Sequence, residues 1–104
     1  MVDVWRILSD AGADVVINGH EHLYERYAPL DAQGQPTPRG MRLFIVGTGG
    51  ARLSPVVSVR PGSLVQIVSW GVLKLTLRPD SYEWSFMPVP GPAARYDEGN
   101  DSCR

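Results

Sequence analysis

Residues 12–26 read GADVVINGHEHLYER, a short apolar run cut off by Asn-Gly and followed at once by two histidines. Val15, Val16 and Ile17 are β-branched, and two heavy atoms on each Cβ favour an extended chain. A run this short, bounded by turn residues, reads as a buried strand. Asn18-Gly19 then ends it with residues that accept turn backbone angles. The histidines thus sit at a strand-to-loop junction, where a rigid scaffold commonly holds functional groups.

Upstream, residues 3–12 (DVWRILSDAG) place Val4, Leu8 and Ala11, with Ile7 beside them, on one helical face, with Asp3 as N-cap and Gly12 as stop. Downstream, residues 29–40 (PLDAQGQPTPRG) read as an exposed excursion, and Met41 to Val46 as a second apolar strand closed by the turn 47–50. After a loop over 51–63, strands are expected at 64–70, 72–77 and 82–87, the last two joined by Pro79-Asp80-Ser81. Leu73, Leu75 and Leu77 alternate with polar neighbours, as do Tyr82, Trp84 and Phe86, so each of these strands has one face for a core. Trp5, Trp70 and Trp84 read as core residues, and Tyr24 and Tyr27 as packing beside the histidine loop. From about residue 89 the chain lacks periodicity and is expected to be a mobile tail. The fold class is α+β: one N-terminal helix with a mostly antiparallel or mixed sheet of four to five strands, in a single domain spanning 1–104.

Composition limits the function classes. The chain has 104 residues, 43% hydrophobic and 20% charged, with a net charge of −1. Its basic residues are dispersed, so there is no specific nucleic-acid-binding signal. No apolar run approaches the roughly 18 residues of a membrane span, and no signal peptide is evident, so the chain as written is expected to stay where it is made. Cys103, the one cysteine, excludes an intramolecular disulfide and is read as able to pair with another chain.

His20 and His22 are the only histidines. In an extended segment, residues two apart point the same way, so both imidazoles could converge on one ion, and neutral imidazole is a common metal ligand. Asp14, Glu21 and Glu25 lie close in sequence, Glu25 also as a carboxylate that could orient a histidine. Arg26 adds a fixed charge suited to a phosphoryl oxygen. The plainer alternative is two surface histidines in a polar loop.

The block from Gly12 to Arg26 resembles the last motif block of the calcineurin-like metallophosphoesterases, especially their purple-acid-phosphatase-like branch. The resemblance continues through Phe44-Ile-Val-Gly-Thr-Gly-Gly50, Gly71-Val-Leu-Lys-Leu-Thr-Leu77 and Ser81-Tyr-Glu-Trp-Ser-Phe86. It implies half of that family's two-sheet sandwich, with His20 and His22 each a ligand of one of two adjacent metal ions. The family's Asp-x-His, Gly-Asp and Gly-Asn-His motifs have no counterpart here, so a site would need donors from elsewhere.

The resulting expectation is a metal-dependent phosphoester hydrolase, phosphodiesterase-like, acting on a small phosphoester substrate. His20, Glu21, His22 and Arg26 would be catalytic, with His20, His22, Glu21, Glu25 and Asp14 as candidate ligands to zinc, manganese or iron. A homodimer pairing the His20 loops would complete the site. The alternative is an incomplete fragment that binds metal structurally or complements a missing half. Relatives of this branch are often exported.

Overall fold

A computed structural model describes residues 2–92 and 94–104. Helix α1 (Val2–Asp10) leads into β1 (Val15–Asn18), followed by β2 (Tyr24–Tyr27), β3 (Arg42–Val46), β4 (Ser63–Ile67), β5 (Gly71–Leu77), β6 (Ser81–Pro88) and β7 (Asp97–Ser102). The α+β class holds, but the expected single sheet of four to five strands is replaced by two sheets of four and three strands. One is mixed, in the order β1-β3-β2-β4, and the other is β5-β6-β7. Only β1 and β3 run parallel.

The core forms where the sheets face each other. Tyr24, Phe44 and Ile67 come from the first, and Tyr82, Trp84 and Phe86 from the second. As expected from their alternation, Tyr82, Trp84 and Phe86 point inward along β6. Tyr24 stacks on Phe86 with ring centroids 4.3 Å apart, and Phe44 meets Trp84 edge-on at 5.6 Å. Such offset and edge contacts suit the aromatic quadrupole.

Strands β2 and β7 escaped the sequence pattern because both turn charged groups inward. Along β7, the i, i+2, i+4 positions Asp97, Gly99 and Asp101 share a face. Asp97 accepts bonds from Arg26 Nε at 2.7 Å and from the Tyr24 hydroxyl at 2.5 Å. Asp101 accepts from Arg42 Nη2 at 2.8 Å. Both guanidiniums also lie over the Trp84 ring, at 5.1 and 4.6 Å from its centroid. Gly99 lies between the two aspartates, at a point where a Cβ would collide with that ring. The segment expected as a mobile tail thus contributes a strand to the second sheet.

Cys103, placed on that tail by expectation, packs against the core. Burial and the nearby Asp14 carboxylate push its thiol above the ordinary value, which disfavours the thiolate that disulfide exchange requires.

Gly12 stops helix α1 as expected, Gly12 N–H donating to Ser9 O and Ala13 N–H to Leu8 O, the two bonds of a Schellman closure. Asp3 lies within its first turn and not at the N-cap. The expected apolar face is not the buried one: Val4 and Ile7 are exposed, and the helix is anchored through Trp5, whose indole N–H donates to Asp31 O at 2.7 Å. Trp70 is exposed as well, so of the three tryptophans only Trp84 is fully core. The 29–40 excursion is pinned by the buried Leu30, which exchanges both backbone bonds with Met41. No described helix is long and apolar enough to cross a membrane.

Candidate functional site

Parallel neighbours β1 and β3 end on the same side of the sheet, so the loops that follow them, 19–23 and 47–50, lie side by side. Clefts beyond the carboxyl ends of parallel strands are recurrent ligand sites. The histidine loop is not extended, as the i, i+2 argument assumed. Two successive three-residue turns fold it, with Glu21 N–H bonded to Gly19 O and Leu23 N–H to Glu21 O. His20, at the centre of the first, has φ of 77° and is the only non-glycine residue among those described with positive φ. Strain of this kind costs about 1–3 kcal/mol and clusters at functional positions.

His22 is held on every side. Its N–H donates to Ser54 Oγ at 3.1 Å, and its carbonyl accepts from Ser54 N–H at 2.9 Å. Its ring Nδ1 lies 2.5 Å from Arg52 O. A carbonyl can only accept, so Nδ1 carries the proton, and the neutral ring leaves its lone pair on Nε2. Ligating histidines are typically oriented by such a bond to a backbone carbonyl.

Gly47 closes the other side. It donates to Leu23 O at 3.2 Å, and a Cβ there would run into the Glu21 carbonyl. Gly47→Ala is therefore expected to cost about 1–3 kcal/mol by overpacking and to shift the His22 ring resonances. Urea denaturation and a histidine-selective NMR spectrum measure the two effects. An unshifted His22 signal would contradict the close approach.

The other expected site residues go elsewhere. Arg26 lies on the face of β2 turned toward the second sheet, where Asp97 takes its guanidinium. Asp14 stands at the opposite end of β1 and accepts the Arg104 N–H at 2.8 Å. Glu25 does not orient a histidine; its carboxylate accepts the Ser63 hydroxyl at 2.5 Å. Glu21 and Glu25 instead line one cleft, which neither histidine reaches. Tyr24 and Tyr27 are buried, as expected of packing residues.

Among the described residues, no group of three or more His, Cys, Asp and Glu side chains is placed to hold a metal ion. His22 fits a ligand role, but this chain's donors do not assemble a complete set. Gly47, Arg52 and Ser54, which fix the His22 loop, were not legible beforehand. Gly47 and Arg52 act only through backbone atoms, and Ser54 partly so, and these carry no residue-type signature. The chain matches no family model, curated protein or solved structure.

Proposed function

We propose that the chain contributes imidazole donors to a metallophosphoesterase-like centre whose remaining donors come from a second copy of the chain. What carries the reading is His22. Its Nδ1–H is committed to Arg52 O, leaving Nε2 as the acceptor, and the motif loop around it is held in a strained conformation. The resemblance of the 12–26 block supports the same assignment.

In this reading His22, with His20 beside it in sequence, would hold a divalent cation of the zinc, manganese or iron type. Such a cation, when bound, polarises phosphoryl oxygens and lowers the pKa of a water. The chain's own contribution is orientation: Arg52 O sets the tautomer, and Ser54 and Gly47 hold the backbone. Neither Arg26 nor Asp14 takes part. The phosphodiester substrate and the two-fold association belong to the proposal.

Cobalt(II) titration of the purified chain, followed by its visible absorption and by light scattering, tests the reading. Saturable binding accompanied by dimer is expected, with His22→Ala weakening it by about 100-fold or more, above the 10–100-fold loss typical of an orienting partner. Hydrolysis of bis(4-nitrophenyl) phosphate by the loaded dimer should fall in parallel. Metal binding without turnover would favour the structural alternative. No cobalt binding at millimolar metal would end both.

A further inference from the structure

We infer that two copies of the chain associate through the outer face of the second sheet, at the end carrying Trp70. An antiparallel sheet that packs on a core by one face normally turns polar side chains outward. Here the outer face is divided. Val72 pairs with Met87, and two residues further along, the Trp70 carbonyl accepts the Val89 N–H at 2.9 Å. Tyr96 precedes Asp97, the partner of Phe86, and so stands level with Met87 on the far side of β6. By the two-residue period of strands these five side chains share the outward face, and each is between 38% and 63% exposed. Trp, Tyr and Met are residue types enriched at protein interfaces, and a contiguous exposed apolar patch marks an interaction surface.

Area and charge select a second copy as the occupant. A monomer of 11.4 kDa exposes about 5,800 Å² on average, whereas this chain exposes 6628 Å². The excess, about 850 Å², is one partner's share of a standard stable interface. Beside the apolar rows, Lys74, Ser85 and Glu98 stand level across the three strands. Among the described residues neither Lys74 nor Glu98 takes part in an ion pair. A two-fold axis running along β6 in the interface keeps each row level while exchanging the β5 and β7 sides. Each Lys74 then meets the partner's Glu98, Val72 meets the partner's Tyr96, and Met87 lies against the partner's Met87. An axis across the strands would instead set apolar rows on charged ones. The face adjoins the motif loop: the Trp70 indole N–H donates to Ala51 O at 2.7 Å, and the next carbonyl, Arg52 O, holds His22. That this association also supplies the missing metal donors rests on the proposed function; the face itself does not.

Sedimentation velocity of the full chain, freed of metal with EDTA, tests the face. A reversible dimer is expected. Met87→Arg sets like charges against each other near the axis and should weaken the dimer by about 30-fold or more, the scale of losing a central interface contact. Lys74→Glu and Glu98→Lys should each weaken it about tenfold. Combining the two reversals should restore it, a recovery that misfolding of either single variant would not give. Cobalt binding should weaken in step with the dimer although His22 is intact. A monomer at millimolar chain concentration, a dimer indifferent to Met87→Arg, or no recovery in the double variant would each overturn the proposal. A dimer that responds to these variants but binds no cobalt would support the face and end the metal reading.

Discussion

Replacing Asp97 with alanine is expected to destabilise the protein by about 3–5 kcal/mol, the cost of leaving one half of a buried ion pair uncompensated. Asp97 is 8% exposed and accepts both Arg26 and the Tyr24 hydroxyl across the gap between the sheets. Without it, a guanidinium and a phenol lose their partner in a layer closed by Trp84. Asp97→Asn keeps an acceptor and should cost less. Burial raises the Asp97 carboxyl, but hydrogen bonds from Arg26 and Tyr24 and the Arg26 charge outweigh it and hold the group below its ordinary value. A folded value below the unfolded one means that the ionised form contributes stability. That contribution is complete above the unfolded value of about 3.9 and is lost as pH falls through the folded value. Urea denaturation of wild type and Asp97→Asn should therefore give a constant difference at neutral pH that shrinks below about pH 4. A difference that does not change with acid would remove the ion pair from the account.

Phe86→Ala should cost a similar amount, about 3–5 kcal/mol, because the ring is fully buried and fills the space between the sheets. Its stacking on Tyr24 joins β6 to β2, two strands with no backbone bond between them. Leu77→Ala is the control. Leu77 belongs to β5, which pairs with β6, but is 73% exposed, so its truncation should change stability by less than about 0.5 kcal/mol. The comparison is read from urea midpoints at unchanged m-value. A loss below 1 kcal/mol for Phe86→Ala would mean that face-to-face packing of the sheets does not depend on this ring.

Legibility followed the kind of side chain that each element buries. Strands β3 and β6 bury apolar groups, while β1, expected to be buried, leaves Ile17 half exposed and, like β5, only half-buries its inward residues; each was visible as an apolar run or an alternation. Strand β2 sends Tyr24 and Arg26 to one face and Glu25 and Tyr27 to the other, and nearly all of it is buried. Its charges read as the polar end of a motif loop because their partners lie far along the chain. Asp97 is 71 residues from Arg26, and no local period announces a pairing at that distance. At the site, the spacing of His20 and His22 was plain, whereas their shared direction was not. That inference needed an extended backbone, and two tight turns replaced it.

The sequence by itself determined the α+β class, the hairpin of β5 and β6, and the placing of both histidines just beyond a strand. Each is a local matter of β-branching, alternation and turn residues. Only the tertiary structure decided that seven strands divide into two sheets, that Arg26 is a structural cation, and that Glu21 and Glu25 face a cleft away from the imidazoles. Those outcomes depend on which distant charges meet in a low-dielectric interior, where an unpaired ion is too costly to leave. A one-dimensional pattern records a residue's charge and not the partner that neutralises it.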